Sequence, residues 1–366
     1  MQLTEVLILK IAIVHDALCV RGGAERVVVW MAKAFPDAPI YTSVYLPEQT
    51  FSEFKQCDIR TLPFSRFIKN EKQFKRLFPL WLYLIRRVKF HEFDVVVTSS
   101  TFLAKFIKPC ATVKHYCYLY APFRFIWHPE SYQENSFPFP RIFRKLAESI
   151  ANRFRKFDRR TTQAIEKIAT SCQNMVNEIE EIYDLEPGII YPPVNLAEFN
   201  PTTEKEEYYL VVSRLIYHKR IDIAVEAFNR LGKQLVIIGD GPEKSKLEKT
   251  AHDNVKFTGI LDDDQLKSYY RKAKALVFTS HEDFGIVPLE AQASGTPVIA
   301  YGNGGVLETV KENESGLFFT EQSSESLISA IEKFEDLTFN SDKMLAWVAR
   351  FSSDEFITKI RKFVLD

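Results

Sequence analysis

Two glutamates with a fixed spacing are the first candidates for chemistry. Glu282 and Glu290 are separated by seven residues in the segment HEDFGIVPLEAQASGTPVIA (281–300). Gly285 lies between them and lets the loop backbone approach a ligand closely. Two carboxylates placed in this way can flank a bound phosphate and accept hydrogen bonds from hydroxyls on either side. A ligand with a sugar, a diphosphate and a ribose has such hydroxyls at both ends.

The same segment predicts a helix whose start could bind that phosphate. Pro288 has the fixed φ of a first helical residue, and Gly295 is a typical C-terminal stop. The amides of Ile286, Val287 and Leu289 would then face outward at the positive end of the helix. Such an end favours an anion, and above all a phosphate.

Two cations are predicted at the same edge. Arg214 and Lys219 follow the strand pattern YYLVVSR (208–214), in the first strand-to-helix turn of the second half of the chain. Arginine offers a planar fork for phosphate oxygens, and lysine offers a mobile point charge. We expect both to face a bound anion.

Three consecutive aspartates could instead suggest a metal site. Asp262, Asp263 and Asp264 formally contain a DxD motif, but they directly precede an amphipathic helical pattern. That setting favours helix capping and compensation of the helix dipole. The segment IIGDGPE (237–243) has only G-x-G and lacks the full dinucleotide fingerprint. We therefore expect neither a bound metal nor a nicotinamide cofactor.

Alternating strand and helix patterns supply the frame for these residues. Near-continuous apolar runs predict parallel strands that are buried on both faces. They occur at 10–16, 94–100, 208–214, 234–241, 275–280 and 296–301. Amphipathic patterns that predict helices occur at 24–35, 220–231 and 262–273. The alternation predicts an α/β fold with doubly wound sheets. The stretch 187–207, rich in proline and polar residues, predicts a boundary between two domains near residue 200.

The first half of the chain is strongly basic, although the chain as a whole is not. Lys plus Arg and Asp plus Glu both number 48, but residues 60–160 contain 21 basic and 7 acidic residues. Basic and aromatic residues mix at 66–90 and in the helical pattern 141–160, on either side of an aromatic, proline-rich loop at 123–140. A solvated basic face is one interpretation, and a surface that lies on anionic lipid headgroups is the other. No nucleic-acid-binding signature is present, so we expect no nucleic-acid partner.

Composition indicates an ordinary soluble protein. The chain has 366 residues, of which 46% are hydrophobic and 26% are charged. The five cysteines include no CxxC pair, which favours reduced thiols in a cytoplasmic protein. The first 16 residues do not resemble a signal peptide, and the longest apolar run, at 77–85, is about half a membrane span.

The motifs together resemble a known family. SRLIYHK, IIGDGPE, EDFGIVPLEAQASGTPVIA and GGVLETV, in this order, are similar to the donor half of family 4 retaining glycosyltransferases. VHDALCVRGGAERVV and AFPDAPIYTSVY resemble a branch that builds bacterial surface polysaccharides. The resemblance implies the GT-B fold, with two facing Rossmann-like domains and parallel sheets. It places an acceptor-binding domain at 1–198, a donor-binding domain at 199–351, and a final helix (352–366) that packs back on the first domain.

The resemblance also implies roles for individual residues. Glu282 would hold donor-sugar hydroxyls and Glu290 the ribose, while Arg214 and Lys219 would neutralise the diphosphate. The remaining donor-binding positions that it implies are Gly22, Gly23, Ile260, Phe284, Gly285, Ile286, Val287 and Leu289.

One departure from the family pattern concerns catalysis. Counting back from Pro122 and Arg124 places Tyr120 where this branch normally has a histidine near the reacting carbon, and His115 lies five residues earlier. Tyr120 can hydrogen-bond a sugar hydroxyl but is a poor proton acceptor at neutral pH. We therefore group Tyr120 with Glu282, Arg214 and Lys219 as catalytic candidates. The resemblance implies front-face attack in which the leaving phosphate takes the acceptor's proton.

The expected reaction is transfer of a hexose from a nucleotide diphosphate sugar to a hydroxyl of a lipid-linked glycan, without a metal. UDP-glucose is slightly favoured over GDP-mannose as donor. The expected location is cytoplasmic, including the inner face of the plasma membrane. A nucleotide-sugar epimerase of the same fold and a non-catalytic nucleotide-sugar-binding module remain as alternatives.

Overall fold

The computed structural model describes residues 9–128, 144–202 and 204–366. The chain forms two compact units, Met1–Pro193 with Asp354–Asp366, and Val194–Ser353. The expectations for residues 1–16 and for the loop at 123–140 lie partly outside the described residues. The loop's first residues include a short helix, Arg124–Trp127.

The first unit contains a parallel sheet. Its strands are β1 (Ile11–His15), β2 (Ile40–Thr42), β3 (Ile59–Thr61), β4 (Val95–Ser100), β5 (Lys114–Leu119), β6 (Lys167–Thr170) and β7 (Gly188–Ile189). Among the described residues these seven strands are ordered β3-β2-β1-β4-β5-β6-β7. The helices between them are α1 (Gly23–Ala34), α2 (Glu71–Arg76), α3 (Phe78–Ile85), α4 (Arg124–Trp127), α5 (Arg144–Gln163) and α6 (Gln173–Tyr183).

The second unit contains another parallel sheet. Its strands are β8 (Tyr208–Val212), β9 (Gln234–Ile238), β10 (Val255–Gly259), β11 (Ala275–Phe278), β12 (Val298–Tyr301) and β13 (Gly316–Phe319). In the part of this unit that the structure describes, the order is β10-β9-β8-β11-β12-β13. The helices are α7 (Ile221–Leu231), α8 (Lys244–Thr250), α9 (Asp263–Lys272), α10 (Ile286–Ala293), α11 (Val306–Thr309), α12 (Ser324–Glu335) and α13 (Ser341–Val348).

The last helix, α14 (Ser353–Leu365), packs within the first unit from Asp354 onward. Phe356, Ile360 and Val364, spaced at helical intervals, are buried in the same core as β1 and α1. The Arg361 Nε donates a hydrogen bond of 2.9 Å to the carbonyl of Ala34. None of the helices in the described ranges is long and apolar enough to cross a bilayer.

The α/β prediction is confirmed, and all six predicted strands are present. The sequence patterns missed the shorter or more polar strands, among them β2, β5 and β7. β5 begins at an exposed lysine and continues through histidine and tyrosine, so its buried face does not read as an apolar run. Two-residue and three-residue strands such as β7 and β2 are too short for a periodic signal.

Candidate functional site

The order of strands in the second unit places its site residues. β8 pairs with both β9 and β11, so the strand order reverses between β8 and β11. Ligands of open α/β sheets bind at such a switch point, outside the carboxyl ends of the strands. Arg214 and Lys219 follow β8, and Glu282 follows β11, so these three residues lie on the two loops that flank the switch point.

Helix α10 begins two residues earlier than the sequence predicted. Its first residue is Ile286, and Gly285 precedes it with a left-handed φ of 88°. Glycine adopts this conformation without the Cβ penalty of other residues. Pro288 is therefore the third helical residue, still within the first turn where its missing N–H breaks no helical bond.

The earlier start changes which amides are available. Helix geometry leaves the amides of Gly285, Ile286 and Val287 without an acceptor inside the helix. The prediction that the Leu289 amide faces outward is wrong. Leu289 is the fourth helical residue, and its amide is the first that can hydrogen-bond to a backbone carbonyl one turn earlier. The earlier start also moves Glu290 along the helix. It is the fifth helical residue and lies just beyond the first turn.

Lys219 and Glu282 form an ion pair with each other. Lys219 Nζ lies 2.5 Å from Glu282 Oε1, and the side chains are 13% and 28% exposed. The Ser280 hydroxyl donates to the same carboxylate oxygen at 3.0 Å. The Thr279 hydroxyl donates to the Lys219 carbonyl at 2.9 Å, which joins the loop after β8 to the end of β11. The pair is thus preassembled in a partly shielded position.

Arg214 differs from Lys219 in having its charge uncompensated. It is exposed, and no carboxylate of the described residues pairs with its guanidinium. Among the described residues, Lys219 therefore has a counter-charge and Arg214 has none.

A glycine pair fixes the position of the Glu282 loop. The Gly305 amide donates to the Glu282 carbonyl at 2.9 Å. A Cβ at Gly305 would lie 2.1 Å from the Asp283 carbonyl oxygen, and one at Gly304 would lie 2.4 Å from the His281 ring. Only glycine permits this approach, so the loop after β12 buttresses the loop that carries Glu282.

Gly239 and Gly241 likewise allow a close approach between backbones, here beside the loop that carries Arg214. A Cβ at Gly239 would lie 1.9 Å from the Ser213 carbonyl oxygen, and one at Gly241 would lie 2.3 Å from that of Leu215. Sequence reasoning weighed these glycines only as a dinucleotide motif. The structure shows them backing the loop on which Arg214 lies.

Glu290 has a partner that the sequence did not suggest. The hydroxyl of Tyr270, on α9, donates to Glu290 Oε2 at 2.9 Å. Burial raises the pKa of Tyr270 well above its usual value, and the Glu290 carboxylate raises it further. Tyr270 therefore stays a proton donor and orients the carboxylate. No local pattern signals this contact, because 20 residues separate the two side chains.

Two further predicted donor residues differ in exposure. The Phe284 ring is buried, with its centroid 5.8 Å from that of Phe351, and so anchors the loop. Ile260 follows β10 with its side chain 79% exposed, directly after Gly259 in a left-handed conformation.

The three aspartates cap α9, as predicted. Asp262 accepts from the Gln265 amide at 2.8 Å, and the two side chains form a reciprocal capping box. Asp263 and Asp264 lie in the first turn, where negative charge is favourable. In the described ranges, no group of three or more metal-ligating side chains is arranged to hold an ion.

In the first unit, Gly22 and Gly23 form the start of α1 at the carboxyl side of β1. Gly22 is extended and makes no side-chain cap. The carboxylate of Glu25, in the first helical turn, lies so close that a Cβ on Gly22 would be 2.5 Å from it. The start of α1 therefore already has the Glu25 carboxylate beside it.

The other side of that carboxylate faces His15, which the sequence analysis did not single out. His15 is 2% exposed, its Nε2 is 3.9 Å from Glu25 Oε1, and its Nδ1 is 3.0 Å from the Ser99 carbonyl oxygen. Burial lowers the pKa of His15, but the attraction of Glu25 and Asp16 outweighs it, so the net pKa is raised. The signal was present in the sequence as a His-Asp pair that ends an apolar strand.

Tyr120 belongs to the same polar network. Its hydroxyl lies 3.0 Å from the Ser99 hydroxyl and donates to the Ala24 carbonyl at 3.0 Å. Burial raises the pKa of Tyr120 well above its usual value. The hydroxyl thus ties β4 to the first turn of α1. His115 is buried 3.1 Å from the Thr98 hydroxyl, and burial lowers its pKa to about 3.

Comparison with known families gives two matches that together span most of the chain. Residues 21–198 match the model described as Glycosyltransferase Family 4, and residues 195–350 match Glycosyl transferases group 1.

Individual relatives match over part or all of the chain. A GDP-mannose-dependent alpha-(1-6)-phosphatidylinositol monomannoside mannosyltransferase of Mycobacterium tuberculosis is 32% identical over 42% of this chain and 46% of its own. The chain thus spans less than half the length of this relative. An uncharacterized 41.2 kDa protein in the cps region of Klebsiella pneumoniae is 25% identical over 94% of this chain and 95% of its own.

Among solved structures, the Anabaena protein HepE in complex with UDP-glucose has a similar fold. It superimposes with a TM-score of 0.70 over 97% of this chain and 98% of its own, at 17% identity. At that identity the likeness supports the fold alone, which is GT-B.

Proposed function

Since this chain belongs to glycosyltransferase family 4, we propose that it is a retaining enzyme that transfers glucose or mannose from a nucleotide diphosphate sugar to a hydroxyl of a lipid-linked glycan. The observation that carries the proposal is the loop after β11. In that loop Glu282, already paired with Lys219, lies three residues before Gly285, and the amides of Gly285, Ile286 and Val287 have no acceptor within the helix.

The donor's diphosphate would bind at these amides. Three N–H groups at a helix start, with the dipole behind them, favour a phosphate oxygen. Lys219 would then turn from Glu282 to the diphosphate and join Arg214. Glu282, released from the lysine, would accept hydrogen bonds from the donor sugar, and Glu290, held by Tyr270, would bind the ribose.

The chemical step would depend on charge stabilisation and positioning. Departure of the nucleotide diphosphate leaves an oxocarbenium-like sugar and a growing negative charge, which preorganised amides and cations stabilise. The departing phosphate would take the acceptor's proton on the front face, so no protein base is required. The two glutamates bind hydroxyls here, unlike the paired acids of glycoside hydrolases.

We propose that the reaction needs no metal ion. Arg214 and Lys219 supply the positive charge that a divalent ion would otherwise supply, and Asp262–Asp264 are engaged at the start of α9. The cations are thus built into the loop after β8.

The donor is proposed to be UDP-glucose, with GDP-mannose as the competing assignment. The fold relative HepE is a UDP-glucose complex, whereas the mycobacterial relative is named for GDP-mannose. Titration with UDP and with GDP in a thermal-shift assay distinguishes them. A ligand at 100 times its dissociation constant adds about 2.7 kcal/mol of stability.

The acceptor is proposed to reach the enzyme at a membrane surface. Phe64, Phe67, Leu77 and Tyr83 of the first unit are between 41% and 62% exposed, which is unusual for large apolar side chains. Basic residues alternate with them, and each cation near an anionic leaflet contributes roughly 1 kcal/mol. We expect cosedimentation with phosphatidylglycerol vesicles, and a strong loss of it in the double variant Phe64→Ser/Phe67→Ser.

Two other reactions are separated by their products. An epimerase of this fold would return an epimer of the donor, and a binding module would return the donor unchanged. A transferase releases the free nucleotide and a lengthened acceptor.

The decisive variant is Glu282→Gln, which keeps the size of the side chain and removes its charge. We expect transfer to fall at least about 100-fold, the effect of losing one charged hydrogen-bond partner of the transition state. Glu226→Gln, on the exposed face of α7, is the matched control and should retain full activity. Unchanged turnover in folded Glu282→Gln enzyme would refute the assignment.

A further inference from the structure

A cavity in the first unit lies at the amino-terminal edge of its sheet. The polar network of His15 lies at the opposite edge, at the carboxyl ends of the strands. Its volume is about 400 Å³, and its wall includes residues at the start of β5 and directly before β6. None of the donor-binding or catalytic residues proposed above lines this cavity.

Three cations from different elements line the cavity. Arg86 directly follows α3, Lys108 follows the turn at Ala104–Phe106, and Arg160 lies in the last turn of α5. Among the described residues that line the cavity, Glu166 is the one carboxylate. His115, also in the wall, is held neutral by burial. The formal charge around the cavity is therefore positive by two units.

Two of the cations are not engaged elsewhere. Lys108 and Arg160 are exposed, and neither pairs with a carboxylate of the residues that the structure describes. Arg86 is held in place, because it donates to the Phe106 carbonyl at 3.2 Å and lies 5.1 Å from the centre of the Phe157 ring. The arrangement thus combines one preorganised guanidinium with two available charges.

Helix ends do not account for all of this charge. Arg86 and Arg160 lie at the carboxyl ends of α3 and α5, each of which carries about half a negative charge. Subtracting both ends still leaves a positive excess of roughly one unit. Lys108 lies at no helix end, so no helix dipole compensates its charge.

We propose that this cavity binds a phosphate monoester or diester, the chemistry shared by a soluble phosphorylated metabolite and an anionic phospholipid headgroup. The volume falls within the range of small-molecule sites, and arginine forks suit phosphate oxygens. Apolar side chains of the wall, Ile107 and Val113, would face the organic part of the ester. The site is independent of the proposed transfer reaction.

Cys110 provides a direct readout, because it lies in the cavity wall and is an exposed free thiol. The rate of its alkylation by N-ethylmaleimide is measured by mass spectrometry of the modified peptide. Cys57, half-buried elsewhere in the unit, is the internal reference. The probes are glycerol 3-phosphate, phosphatidylglycerol vesicles and phosphatidylcholine vesicles, compared with sodium chloride at equal ionic strength.

Alkylation of Cys110 should slow about tenfold when a bound probe is at ten times its dissociation constant, while that of Cys57 should not change. Protection by glycerol 3-phosphate assigns a soluble ester. Protection by phosphatidylglycerol vesicles alone assigns the headgroup of a lipid.

The variant Lys108→Glu/Arg160→Glu reverses the local charge and should abolish protection. Lys249→Glu/Lys333→Glu makes the same change at exposed positions of the second unit and should leave protection intact. If the first variant unfolds, Lys108→Gln/Arg160→Gln replaces it. Absence of protection by every probe, or equal protection in the charge-reversed variant, would overturn the proposal. Transfer activity is not measured, so the result stands apart from the proposed function.

Discussion

Replacing Gly305 by alanine tests whether the loop after β12 positions the donor site, without changing any group that touches a ligand. Gly305 has φ −66° and ψ −14°, which alanine adopts freely, so the backbone is not strained by the change. The added Cβ would lie 2.1 Å from the Asp283 carbonyl oxygen and 2.4 Å from the Phe284 Cα. Ordinary contact begins at 3.4 Å, so the Asp283 carbonyl must retreat by about 1.3 Å.

That displacement sets the expected effect on nucleotide binding. Asp283 and Phe284 directly precede Gly285, whose amide is the first of those proposed to bind the phosphate at the start of α10. Loss of one well-aligned hydrogen bond to a charged phosphate costs about 1.5–3 kcal/mol. The dissociation constant for the nucleoside diphosphate should therefore rise roughly 10- to 150-fold.

Isothermal titration calorimetry with UDP and with GDP measures this constant, and thermal unfolding checks that the variant is folded. Gly188→Ala is the matched control, because no atom lies within 4 Å of a Cβ at that position. A folded Gly305→Ala protein that binds nucleotide within twofold of the parent would refute the buttressing role of the loop after β12.

Three further predictions concern charge. The raised pKa of His15 means that its interaction with Glu25 stabilises the fold fully below about pH 6.5, and that this stability is lost as pH rises through the folded-state pKa. Urea unfolding at several pH values should show this trend in the parent and its loss in Glu25→Gln; parallel profiles would contradict it. Asp158 is fully buried, 2.6 Å from Lys105, and Lys105→Ala leaves it without its counter-charge. Chemical denaturation should show a loss of about 3–5 kcal/mol in the free energy of unfolding. A loss below about 1 kcal/mol would show that the pair is solvated. Transfer activity should persist in EDTA, because the site contains its own cations; full loss, restored by a divalent ion, would reverse the metal-independent assignment.

Local sequence patterns were sufficient to predict features that lie within a single segment. The spacing of Glu282 and Glu290, the capping aspartates before α9 and the apolar strands β8 and β11 all follow from neighbouring residues. The start of α10 was misplaced, because Pro288 suits any position of a first turn. The left-handed Gly285, three residues before the proposed start, was the better marker.

Contacts between distant segments could not be predicted in this way. The pairing of Lys219 with Glu282 joins positions 63 residues apart, and the Tyr270 contact with Glu290 joins different helices. The first depends on β8 lying beside β11, an order that the periodicity of each strand does not encode.

Local sequence patterns were therefore enough to show which segments form strands and helices and which residue types lie at their ends. Hydrophobic periodicity and turn chemistry act over a few residues, so they can be read locally. Tertiary structure alone decided that the lysine is held by the glutamate, that glycine pairs buttress the loops, and that Tyr120 binds Ala24 and Ser99. These features depend on the approach of backbones from separate strands, and the order of the strands in the sheet sets that approach.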